Sequence, residues 1–263
     1  MKNSFQIRYV FLLFWAFLSL NSEAQTTYKD YPEFEKYTFT SPSGTLPYRL
    51  LRPMPYDAEK KYPLVIFFHG AGERGKDNLT PLTHIAGLFL NGANRRNYPC
   101  FVLVPQCPLD TRWVDTDWTL DGHQIPEKPS LPLQLSKELL EETIKNYPVD
   151  QQKVYVTGLS MGGFAVWDII ARYPDVFAAA IPICGGGDLQ TAESIKNIPL
   201  WAFHGKQDQI VKPSRSREMI IAIRNAGGKP KYTEYPDAGH GSWKPAYEEP
   251  KLLEWLFAQK KDD

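Results

Sequence analysis

Three cysteines in 263 residues are too few to hold a fold together by disulfides, and their number is odd. None stands at the C-x-x-C spacing of a zinc site or a dithiol redox motif. Cys100 and Cys107 flank a strand-like run, and seven extended residues span roughly 23 Å. A disulfide needs Cα atoms within about 7 Å, so these two are not expected to bridge. Cys184 ends another strand-like run. Buried free thiols and no metal site are the expectation. Neither sign of charge is in surplus, with 30 Lys and Arg against 30 Asp and Glu. Nucleic acid and anionic membrane partners usually leave a basic excess, so neither is expected. Long apolar runs are also missing. The longest, residues 10–20, falls short of the roughly 20 residues that a membrane span needs.

That short run fits an export signal. Lys2 and Arg8 supply a positive start, and Ser22 and Ala24 are small residues at the −3 and −1 positions of a cleavage site before Gln25. A lipid anchor would need cysteine where Gln25 stands. Residues 1–24 are therefore predicted to be a signal peptide, giving a periplasmic or extracellular protein with no stable membrane anchor. Cleavage removes Lys2, Arg8 and Glu23, leaving a net charge near −1. The remainder, 25–263, is a normal size for a single α/β domain. Aromatic residues make up 13% of the chain, which suits a carbohydrate or aryl-ester site and an ordinary core equally well.

The most informative stretch is Gly158-Leu159-Ser160-Met161-Gly162-Gly163. It follows the strand-like 154–157 and precedes a helix-like run to Arg172. In that strand–turn–helix setting a G-x-S-x-G match reads as a nucleophile elbow, with Ser160 raised above the sheet and the Met161 N–H facing the same point. Without that setting the match would be an ordinary Ser-Gly turn. In α/β-hydrolases the acid and then the base follow the serine. Asp208 lies just beyond the apolar run 199–205, and His240 sits in the glycine-flanked loop Asp237-Ala238-Gly239-His240-Gly241. His69, His84, His123 and His204 fit the base less well, because of chain order, position at a strand end or lack of a loop. Asp188, after Gly185-Gly186-Gly187, is a competitor for the acid. The spacing from His204 to Val211 favours Asp208. Asp237 reads as a turn former.

An oxyanion hole needs a second backbone donor, from the loop after the third strand. Residues 64–68 form a continuous apolar run, as in a strand buried on both faces. They lead into His69-Gly70-Ala71-Gly72-Glu73-Arg74-Gly75, whose glycines let backbone approach a substrate closely. Ala71 is the expected donor, unless the loop is simply a glycine-rich turn.

Elsewhere, strand and helix patterns alternate. A hairpin is predicted around 41–44 and a short helix over 82–90. An amphipathic helix is expected over 133–147, a helix over Ser214–Asn225, and a final helix over 247–259. The pattern implies a mostly parallel central sheet with helices on both faces. Residues 108–132 show no period, and structureless stretches of that length are usually functional or mobile. Trp113 and Trp118 within it, and Trp243 close after His240, are either substrate-facing or packed in the core.

Taken together, residues 69–75, Val104-Pro105-Gln106-Cys107-Pro108 and residues 155–163 resemble one branch of the α/β-hydrolases. This branch comprises the single-domain bacterial esterases similar to carbohydrate esterase family 1 (feruloyl and acetylxylan esterases). Sequence surveys also label it "predicted peptidase" or dienelactone-hydrolase-like. The resemblance covers 62–243 and implies a triad of Ser160, Asp208 and His240, with oxyanion donors at Ala71 and Met161. True dienelactone hydrolases carry cysteine as nucleophile, and this chain has serine. The expected activity is hydrolysis of carboxylic esters, such as acetyl or feruloyl groups on polysaccharide, through an acyl-enzyme and without cofactor or metal. A serine peptidase of prolyl-oligopeptidase type is the alternative, though only some 40 residues precede the core. A non-catalytic binding protein of the same fold would be expected to lack a triad member.

Overall fold

The structure, a computed structural model, describes residues 28–261. The predicted signal peptide lies outside the described residues. Eight strands form one sheet: β1 (Phe34–Ser41), β2 (Gly44–Leu51), β3 (Tyr62–Phe68), β4 (Phe101–Pro105), β5 (Val149–Leu159), β6 (Ala179–Ile183), β7 (Trp201–Gly205) and β8 (Lys231–Tyr235). Their order is β1-β2-β4-β3-β5-β6-β7-β8. The first two strands make an antiparallel hairpin, with Ser41 paired to Gly44 across its turn. β2 runs antiparallel to β4, and every later pairing is parallel.

Alternation along the strands builds two cores. Leu64, Ile66 and Phe68 point into one layer, and Val65 and Phe67 into the other. The first layer is covered by α3 (Leu131–Asn146), α4 (Met161–Arg172), α5 (Ala192–Ile195) and α6 (Ser214–Asn225). The second is covered by α1 (Ala86–Leu90), α7 (Trp243–Tyr247) and α8 (Leu252–Phe257), while α2 (Gly92–Asn97) leads on to β4. Because both faces are buried, β3, β4 and β6 and the second half of β5 are dominated by apolar residues rather than alternating with polar ones. The result is the open, mostly parallel sheet of the α/β-hydrolase fold.

Some element bounds differ from the sequence expectation. The helix expected over 82–90 begins as a 3-10 turn, Thr80–Leu82, and is α-helical only from Ala86. The final helix expected over 247–259 is two short helices, α7 and α8. Pro250 lies between them; it disfavours helical backbone at Glu249 and has no N–H to donate. All three cysteines are buried and unbridged.

Residues 106–130 contain no helix or strand, yet they are pinned. The Ile125 N–H donates to Asp188, Arg215 to the Leu120 carbonyl, and Arg172 to the carbonyls of Pro126 and Glu127. These four bonds are made by distant side chains, not by a ladder.

Candidate active site

The carboxyl ends of β3, β5, β6 and β7 converge where the turns after them carry polar side chains. Ser160 follows β5 directly, at φ 54° and ψ −120°, a strained conformation for a residue with a Cβ. Glycine is required beside it. A Cβ on Gly162 would lie 1.9 Å from the Phe68 carbonyl oxygen, and one on Gly158 would lie 2.5 Å from the Gly162 carbonyl oxygen. The Ser160 N–H donates to the Ile183 carbonyl at 2.9 Å, tying the turn to β6.

Asp208 sits on the turn after β7 and His240 on the loop after β8. The two loops are stitched together: the Gln207 N–H donates to the Ala238 carbonyl at 3.0 Å, and a Cβ on Gly205 would meet the Gly239 carbonyl oxygen at 2.1 Å. Ser160 Oγ lies 2.8 Å from His240 Nε2, and His240 Nδ1 lies 2.7 Å from Asp208 Oδ2. Asp208 is buried, and its other carboxylate oxygen accepts the N–H groups of Ile210 and Val211 at 2.9 and 3.0 Å. Burial pushes the Asp208 pKa up. Hydrogen bonds from His204, His240 and these two amides outweigh it and hold the carboxyl well below the usual range. Asp188 is spoken for elsewhere, accepting from the N–H groups of Gln190 and Ile125.

Residues 69–75 pack directly against the serine; a Cβ on Gly70 would lie 3.7 Å from Ser160 Cβ. Ala71 opens the 3-10 turn Ala71–Glu73, and Met161 opens α4. As first residues of their helices, neither has its N–H paired within the helix.

A family model described as "Putative esterase" matches residues 41–190, more than half of the chain. The chain belongs to this esterase family. A second model, the dienelactone hydrolase family, matches residues 132–251. The solved structure of a thermostable esterase is 40% identical, with a TM-score of 0.81, over 88% of this chain and 64% of that one. A ferulic acid esterase superposes with a TM-score of 0.65 at 18% identity, over 84% of this chain and 96% of the other, a likeness of fold. A secreted protein of Arthroderma benhamiae is 25% identical over 81% of this chain, which spans only 26% of that protein.

Sequence reasoning missed the residues that brace these loops. His69 is fully buried; its Nδ1–H donates to the Gly70 carbonyl at 2.7 Å, and its Nε2 accepts the Cys107 N–H at 3.0 Å. The second bond needs the neutral ring, because only an unprotonated Nε2 can accept, and burial pushes its pKa down to about 4. Arg74 donates to the Ala71 and Thr111 carbonyls. His204 Nε2 lies 3.2 Å from Asp208 Oδ2 and supports the acid from below. The signal for His69 was its place immediately before the glycine turn. His204 had only its four-residue spacing from Asp208.

The three tryptophans separate. Trp113 has no exposed surface, packs edge-on against Phe68 and His69, and donates its Nε1–H to the His69 carbonyl at 3.0 Å. That is the core alternative, and in this conformation it leaves Trp113 no surface to offer a substrate. Trp118 is half-buried, with the Arg112 guanidinium 4.6 Å above its ring. Trp243 is also half-buried and stands perpendicular to the His240 ring at 5.5 Å. It lines a hollow of about 400 Å³ beside His84 and Leu88.

Donor atoms of Cys184, Asp208 and His240 all lie within 4.8 Å of one another. Burial pushes the Cys184 thiol up to about 12, so it stays protonated at neutral pH. His240 Nδ1 and Asp208 Oδ2 already satisfy each other.

Proposed function

We propose that this esterase is an exported serine hydrolase of carboxylic esters, acting on acetyl or feruloyl groups carried by polysaccharide. The supporting observation is the unbroken hydrogen-bond chain from Ser160 Oγ through His240 to Asp208, at 2.8 and 2.7 Å. Ser160 attacks the ester carbonyl as His240 takes its proton. Asp208 fixes the imidazole tautomer and stabilises the imidazolium that forms. The N–H groups of Ala71 and Met161 hold the oxyanion, and water, activated by His240, then releases the acid. Residues 25–263 would form the catalytic domain, following an export signal at 1–24. Trp118 and Trp243, half-buried, are the candidates for contact with the aryl or sugar group.

The chain spans 64% of the thermostable esterase and 26% of the Arthroderma protein, so the polymer substrate rests on the site's chemistry and on the ferulic acid esterase fold. Purified protein should hydrolyse p-nitrophenyl acetate and methyl ferulate and release acetate from acetylated xylan. It should leave a proline peptide intact. Cleavage of the peptide with no turnover of any ester would favour the prolyl-oligopeptidase reading instead.

A further inference from the structure

The amino ends of the parallel strands, opposite the candidate active site, form a second distinctive surface. Three hollows adjoin there. One, of about 620 Å³, lies beneath the starts of β3 and β4 and is lined by Lys60, Lys61 and Lys153 with Tyr98 and Phe257. Another, of about 410 Å³, lies beneath β7 and β8 and is lined by Lys196, Lys229 and Lys231 with Trp255. The third, of about 430 Å³, adds Lys260 and Lys261 and shares Asn197, Ile198 and Pro199 with the second. The segment from Phe257 to Lys261 contributes to all three.

The hollows extend from β4 to β8, five strand spacings, or about 24 Å. Eight lysines line them, against the carboxylates of Asp175 and Glu254. Lys60 pairs with Asp57, and Lys196 with Glu193. Among the described residues, Lys61, Lys153, Lys229, Lys231 and Lys260 form no ion pair. Five cations without an ion pair thus share this face of a chain with no net charge. Aromatic rings interleave with them: Tyr98 stacks on Phe257 at 5.0 Å, and Lys231 Nζ stands 3.4 Å above the Trp201 ring and 5.7 Å from that of Trp255.

We infer that this trough binds an anionic polysaccharide, a single chain of sugar rings bearing carboxylates. The cations match the carboxylates, and the rings offer apolar faces to sugar C–H groups. A row of hollows suits an extended chain of linked rings better than it suits a flat bilayer surface. The choice of a polysaccharide rests on the reading of the site as a polysaccharide esterase. The trough would hold the enzyme on its polymer while leaving the catalytic face free.

Affinity electrophoresis in gels containing polygalacturonate or neutral galactomannan tests this. The protein should be retarded by polygalacturonate alone, and less so as salt is raised. Replacing Lys61, Lys153, Lys229 and Lys260 together with alanine should weaken retardation on the order of tenfold, as lost cation contacts do for polyanions. Hydrolysis of p-nitrophenyl acetate should be unchanged, and the same four positions as arginine should keep the binding. Equal retardation by galactomannan, or an alanine variant that binds like the wild type, would overturn the inference. Tighter binding to oligo(dT) or to phosphatidylglycerol vesicles than to polygalacturonate would overturn it too. The gels are repeated with Ser160→Ala protein, so polymer binding is read independently of whether the chain hydrolyses esters.

Discussion

His240 Nδ1 meets Asp208 Oδ2 at 2.7 Å, while Asp188 gives its carboxylate to the backbone of Gln190 and Ile125. If this geometry runs the chemistry, Asp208→Asn should keep the fold and lower kcat by roughly 10⁴, since the imidazole is left in the wrong tautomer. Asp188→Asn should change kcat little and act mainly on stability. Steady-state rates of the two variants on p-nitrophenyl acetate, with melting temperatures, separate the roles. A larger kcat loss in Asp188→Asn would move the acid to the earlier loop.

Ser160→Ala should lower kcat on the order of 10⁶. A fluorophosphonate should label the wild-type protein at Ser160, located by peptide mass. A label on another serine would sink the nucleophile assignment.

The pair Gly162 and Gly72 tests how tightly the elbow is packed. A Cβ at Gly162 would meet backbone oxygen of Phe68 at 1.9 Å, whereas one at Gly72 would meet nothing within 4 Å. Gly162→Ala should therefore cost about 3 kcal/mol, and Gly72→Ala should leave stability within about 0.5 kcal/mol. Urea denaturation of both variants provides the comparison.

These contrasts also mark where the sequence was legible. The elbow is a local pattern: glycines two residues either side of Ser160, a strand before and a helix after, all within one stretch of chain. Asp208 and His240 were readable because chain order and loop glycines restrict the choice. The bracing by His69, Arg74 and His204 was not, because each acts through one or two bonds across the sheet's edge. Residues 106–130 were opaque for the same reason, four of their backbone groups being held by the side chains of Arg172, Asp188 and Arg215. Pro250 was visible in the sequence, but the apolar spacing of Leu252, Leu253 and Leu256 masked the break it makes in the final helix.

His69 predicts an acid sensitivity. Its folded pKa is about 4, below the ordinary histidine value of about 6.5. Between these values the unfolded chain takes up a proton that the folded protein does not, so stability falls as pH drops through that window. The loss approaches on the order of 3 kcal/mol by pH 4. His123, whose pKa is lowered by burial and by Arg215 to about 4, adds to it with the same sign. Asp208 stays ionised across this range. Unfolding free energy measured at pH 7 and pH 4.5 should show the drop. His69→Gln, although less stable at pH 7, should show a shallower slope, and an unchanged slope would locate the acid sensitivity elsewhere.

Trp113 and Trp118 lie five positions apart in the irregular segment and should respond in opposite ways. Trp113 is enclosed, and its indole bond to the His69 carbonyl helps hold the strand end from which residues 70–75 depart. Trp113→Ala should cost about 3–5 kcal/mol, the usual loss for a buried tryptophan. It should depress turnover of all esters together. Trp118 keeps part of its surface open, and one side of its ring is covered by Arg112. Trp118→Ala should lower the melting temperature far less. If its ring contacts the acyl or sugar group, the variant should raise KM for methyl ferulate while leaving p-nitrophenyl acetate, a smaller substrate, near its wild-type rate. Melting curves run beside the two assays decide between packing and contact. A Trp118→Ala protein with wild-type KM for methyl ferulate would remove that residue from the substrate surface and leave Trp243, beside His240, as the aromatic candidate.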